Sequence, residues 1–121
     1  PTVLDNVGTD TLINRDETFG PIVPLIPVSG DEEALAVAND SHLGLQAAVY
    51  TSSLRRAFAY LRNLRVGNVV INDSTDYWEA LEPFGGAAGT RTGWGRVGGR
   101  YSLLEMTDLK TVVLDFGSLE G

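Results

Sequence analysis

The residues with the most chemical promise lie between Pro83 and Gly99, a stretch that holds seven of the chain's 14 glycines. Within it, Gly93-Trp94-Gly95-Arg96-Val97-Gly98 has the spacing G-x-G-x-x-G. Between a strand and a helix, that spacing cradles a pyrophosphate on backbone N–H groups, and the chemistry would be dinucleotide binding. The flanks exclude it here. Glu82–Thr92 contains Pro83 and three glycines and no β-branched apolar run, so no strand feeds the motif. No acidic residue closes a second strand about 20 residues further on. Other chemistry is narrowed by what the chain does not contain. With no cysteine there is no thiol nucleophile, no cysteine-ligated metal and no disulfide within these residues. His42 is the sole histidine. It reads as a connector between a helix and a strand, and it cannot build a metal cluster with other histidines.

The bulk properties bound the class. A chain of 121 residues is about one domain, and 43% apolar with 21% charged residues is ordinary for a soluble globular protein. A net charge of −7 argues against a polyanionic partner, so no nucleic acid is expected. No apolar run approaches the ~18 residues of a membrane span. The N-terminus has no basic segment followed by an apolar one, so no signal peptide is expected. Absence of cysteine fits a reducing compartment, and a cytoplasmic location is expected. Thr2-Val3-Leu4 reads as a strand already under way, without an initiator methionine, and Gly117–Gly121 reads as a tail. The chain reads as a piece of something longer.

The elements that would position any site follow from local pattern. Leu12 and Ile13 allow one helical turn, and Glu17–Pro21 reads as a turn. Ile22–Val28 is apolar and β-branched, but Pro24 and Pro27 remove ladder donors, so it should be an edge strand or be paired unevenly. Ser29-Gly30-Asp31-Glu32 starts a helix running to about Asp40, with Ser29 or Asp31 as cap. Leu45–Tyr50 is a strand. Leu54, Ala57, Phe58 and Leu61 then mark a second helix, capped from Thr51-Ser52-Ser53. Val66–Ile71 is a strand without alternation, as when both faces are covered. Strand, helix, strand, helix, strand with short connections predicts an α/β fold: a βαβαβ parallel sheet with right-handed crossovers. Asn72–Gly99 is a long loop, where function tends to sit. A short helix over Arg100–Met106 and a last strand over Leu109–Phe116 complete the chain.

Taken in order, these segments resemble the C-terminal part of the catalytic domain of the aldehyde dehydrogenase superfamily, over nearly the whole chain. Glu17-Thr18-Phe19-Gly20-Pro21 is similar to the family's E-x-F-G-P. Ala38–Leu45 followed by Ala47–Thr51 is similar to its A-N-x-x-x-x-G-L-x-A-x-V-[FY]-T. Gly67–Asn72 resembles G-x-V-x-I-N, and Pro83–Gly86 and Gly93–Arg96 resemble P-F-G-G and G-x-G-R. Thr107 and Lys110-Thr111-Val112 resemble the closing T-x-x-K-x-V. Two departures stand out. Six residues, Ala87–Thr92, separate Gly86 from Gly93 where four are usual, and the family's lysine there is missing. Trp94 is bulky for its place and is expected to pack on a neighbouring surface.

The resemblance implies oxidation of an aldehyde to a carboxylic acid with NAD or NADP, through a cysteine thiolate that lies outside this chain. It implies that Glu17 binds cofactor through the ribose hydroxyls, since an acceptor-only carboxylate can fix two vicinal hydroxyls. Phe19 would support the nicotinamide ring. Phe84 would line the aldehyde pocket, with Tyr77 and Trp78 in the substrate tunnel. Asn72 is expected to hold its turn by hydrogen bonds to backbone. Residues 1–108 would be the C-terminal part of the catalytic domain, and 109–121 a terminal strand and tail. A homo-oligomer would form through residues 109–116. The competing reading is a non-catalytic oligomerisation module derived from the same fold.

Overall fold

The computed structural model describes residues 1–117; of the expected tail, residues 118–121 lie outside the described part. The elements run β1 (Thr2–Leu4), α1 (Leu12–Arg15), β2 (Ile22–Pro24), α2 (Asp31–Asn39), β3 (Gln46–Val49), α3 (Leu54–Asn63), β4 (Asn68–Ile71) and α4 (Gly99–Glu105). All strand pairing within ladders is parallel, so the α/β class holds.

The sheet arrangement differs from a continuous βαβαβ sheet. Two separate two-stranded sheets form, β1 with β2 and β3 with β4. Thr2, Val3 and Leu4 pair with Ile22, Val23 and Pro24, whereas Gln46–Val49 pairs with Asn68–Ile71. The strand β2 ends at Pro24, short of Val28, and one further residue still bonds β1's side: the Leu25 N–H donates to the Leu4 carbonyl at 2.8 Å and the Leu25 carbonyl accepts from the Val7 N–H at 2.9 Å. β4 is half-buried along its length and not covered on both faces. The expected strand over Leu109–Phe116 is not formed among the described residues: 107–116 belong to no helix or strand. A strand exists only through its ladder, and no ladder among the described residues includes this segment.

Helix ends follow local chemistry. Ser53 caps α3, its hydroxyl accepting from the Arg56 N–H at 3.3 Å. Neither Ser29 nor Asp31 caps α2. Gly30 occupies the cap position, and Glu33 reaches back to accept from the Ser29 N–H at 2.7 Å and its hydroxyl at 2.6 Å. Asp31 is engaged elsewhere, accepting from Arg56 Nε at 2.8 Å and from the Tyr60 hydroxyl at 3.1 Å, which ties α2 to α3. Asn39 adds a second tie, donating to the Asn63 carbonyl at 2.8 Å and accepting from the Arg65 N–H at 2.8 Å.

The core is small. Ala57 is the one buried apolar residue among the described residues, and its stripe neighbours Leu54, Phe58 and Leu61 are exposed. No helix among the described residues is long and apolar enough to cross a membrane.

Candidate functional site

The long loop is anchored at both ends by backbone geometry that its sequence makes possible. Asn72 ends β4 with φ 60°. Its side chain accepts from the Thr51 N–H at 2.7 Å and donates to the Thr51 carbonyl at 3.0 Å, imitating one more rung of the ladder. Asn tolerates this left-handed conformation better than most residues. At the far end, Gly98 sits at φ 105°, and a Cβ there would overlap the Glu82 carbonyl. Between these anchors, Phe84 and Val97 form an antiparallel bridge, with N–H to carbonyl distances of 2.8 and 2.9 Å.

The glycines permit close backbone crossings. A Cβ on Gly67 would overlap the Gly85 carbonyl, so loop and β4 approach at backbone contact. The Gly44 carbonyl accepts from Gly67 and Ala87, both at 2.9 Å, and the Gly44 N–H donates to Thr92 Oγ1 at 2.8 Å. A tight turn lies within the segment before Gly93. Thr90 closes it on the Ala87 carbonyl through both N–H (3.3 Å) and hydroxyl (2.7 Å), with Gly89 at φ 80°. Arg91 then donates its N–H to the His42 carbonyl at 2.7 Å, tying the turn to the α2–β3 connection.

Against this scaffold lies a cavity of about 300 Å³, walled by Tyr77, Trp78 and Phe84 with Gln46, Asn68 and Val70. Gln46 Nε2 donates to the Tyr77 carbonyl at 3.2 Å, fixing the aromatic segment to β3. Tyr77 and Trp78 remain about half exposed, and Phe84 is half-buried. The three aromatic residues expected to contact substrate are therefore neighbours. The pair expected to contact cofactor stands apart. Glu17 lines a second cavity of about 500 Å³ with Gly44, Leu45, Arg91 and Thr92, and Gln46 is common to both cavities. Phe19 lines neither and is 96% exposed. Trp94 is fully exposed among the described residues.

Arg96 is a residue whose role the sequence did not reveal. Its Nη1 donates to the Gly86 carbonyl and, at 3.3 Å, to the Gly95 carbonyl, pinning the two glycine segments together. A cation directly after G-x-G was the available signal, because a glycine-rich turn exposes carbonyls that need donors. Among the described residues no group of His, Cys, Asp and Glu could hold a metal ion.

Parallel strands joined by helices, with clefts walled by the connecting loops, define the class: a portion of an α/β ligand-binding or enzyme domain. The sequence model described as the aldehyde dehydrogenase family matches residues 1–112. The chain belongs to that family. An NADP-dependent glyceraldehyde-3-phosphate dehydrogenase of Streptococcus equinus is 41% identical over 115 residues, covering 95% of this chain and 24% of the relative. A salicylaldehyde dehydrogenase from Pseudomonas putida G7, solved with salicylaldehyde, is 39% identical with a TM-score of 0.86, covering 96% and 24% of the two chains. A Mycobacterium tuberculosis aldehyde dehydrogenase, solved with NAD+, is 32% identical with a TM-score of 0.84, covering 95% and 23%. The chain thus spans about a quarter of the length of the relatives it matches.

Proposed function

We propose that the chain is the C-terminal part of the catalytic domain of an NAD- or NADP-dependent aldehyde dehydrogenase, which oxidises an aldehyde to a carboxylic acid in the cytoplasm. What carries this reading is that Tyr77, Trp78 and Phe84 wall one cavity in a chain of this family. They form the apolar wall against which the aldehyde's tail rests.

The cofactor fits the residues present. The Glu17 carboxylate accepts no hydrogen bond among the described residues while lining a cavity, so its lone pairs are free for a ribose diol. Phe19 offers an uncovered aromatic face. The cofactor supplies the hydride acceptor. The chain's part is to hold and orient it: Glu17 fixes the ribose, Phe19 supports the ring, and positioning of this kind is a large share of what a dehydrogenase protein contributes. The nucleophilic cysteine has no counterpart among these residues, so the 121-residue chain alone is inactive. Residues 1–108 belong to the catalytic domain. Residues 109–121 are the oligomerisation segment, with 109–116 in no strand of this chain and so available to a second copy.

In the full-length protein that carries this segment, Glu17→Gln is expected to slow single-turnover cofactor reduction by roughly tenfold or more. Unchanged single-turnover kinetics would remove Glu17 from the site. The purified 121-residue chain is expected to show no cofactor-dependent aldehyde oxidation, and turnover by it would overturn the fragment reading. A full-length protein that assembles but oxidises no aldehyde would favour the interaction module instead.

A further inference from the structure

We propose that Glu79 and Glu82 make the cavity walled by Tyr77, Trp78 and Phe84 select against aldehydes with an anionic tail, so that neutral and cationic aldehydes are its substrates. The inference rests on the reading of this cavity as the aldehyde pocket. Both glutamates line the cavity, and none of the described residues of this chain that line it is a lysine, arginine or histidine. Their charges are not neutralised internally: among the described residues the one ion pair is Arg56–Asp31, on the α2–α3 tie. The hydrogen-bonding groups that remain, the side chains of Gln46 and Asn68, are neutral, and both already donate to backbone carbonyls.

The field of these carboxylates is felt at the cavity wall. The Tyr77 hydroxyl is pushed above the usual phenol range chiefly by the charge of Glu82, then by burial and by the charges of Glu79 and Asp73. The same field that resists a phenolate resists a carboxylate, phosphate or sulfonate on a substrate. An ammonium group gains twice, from the carboxylates and from the faces of the three aromatic rings. A neutral tail is indifferent to the field and is held by the aromatic walls alone.

The test compares three aldehydes of similar length on the full-length protein: butanal, succinate semialdehyde and 3-(trimethylammonio)propanal. Wild type is expected to show lower kcat/KM for succinate semialdehyde than for the other two. Relative to butanal, Glu79→Gln/Glu82→Gln is expected to raise kcat/KM for succinate semialdehyde on the order of tenfold and to lower it for the cationic aldehyde. A double variant that shifts all three substrates equally overturns the charge-selection proposal, as does a wild type that prefers succinate semialdehyde. Trp78→Ala and Phe84→Ala separate the two failures. If they raise KM for butanal while the glutamate variant leaves the substrate ratios unchanged, the pocket stands and the charge inference falls. If neither alters any KM, the pocket reading falls and takes the inference with it.

Discussion

Asp31 shows how one side chain's role is decided by residues far along the chain. Its carboxyl lies below the usual aspartate range because Arg56, and then Tyr60, hydrogen-bond the charged form. Glu33 is lowered in the same direction by the Ser29 hydroxyl and N–H. A depressed carboxylate contributes stability that is present above its unfolded pKa and lost as pH falls through its folded one. The α2–α3 tie is therefore expected to weaken on the acid side of the carboxylate range and to be intact at neutral pH. An NMR titration should find the Asp31 midpoint below the free value of about 3.9. Arg56→Gln should move that midpoint upward, and an unmoved midpoint would show that Arg56 is not its cause. The sequence offered Asp31 as a helix cap because Asp commonly caps. It could not show that an arginine 25 residues away claims the carboxylate. Asn72 was legible as a residue whose side chain bonds backbone, but its partner Thr51, 21 residues away, was as hidden as Arg56.

Helices α2, α3 and α4 could be read locally, α3 from both spacing and cap, since their hydrogen bonds close within a few residues. Strand partners could not. β2 pairs with β1 although the alternation of strands and helices pointed onward to β3, because periodicity along a strand says nothing of which neighbour meets it. Backbone crossings were equally hidden, since glycine in a sequence does not say what passes above it. They separate the glycines into two kinds. Gly67→Ala would force its Cβ into the Gly85 carbonyl, and a cost of about 3 kcal/mol or more is expected, together with displacement of Phe84. Gly89→Ala meets nothing within 4 Å and bears only its positive φ, a cost of about 1 kcal/mol. Urea denaturation of the two variants in the full-length protein should rank them in that order. Equal midpoints would mean that the crossing at Gly67 relaxes freely.

At the scale of the whole molecule, the surface is too large for the mass. The chain exposes 9761 Å², about 3,400 Å² more than the roughly 6,300 Å² expected of a 13.0 kDa monomer. Much of the excess is apolar, including Leu12, Leu54, Leu81, Met106, Leu109 and Val113. Such a surface invites association. The isolated chain is expected to sediment as dimers or larger species at about 10 μM, and a clean monomer would contradict this. Removing residues 109–121 should shift the distribution toward smaller species if that segment is the assembly strand. The excess also marks a surface suited to being covered by other protein. An area of about 3,400 Å² on one side is several times the roughly 800 Å² that each partner of an ordinary complex buries.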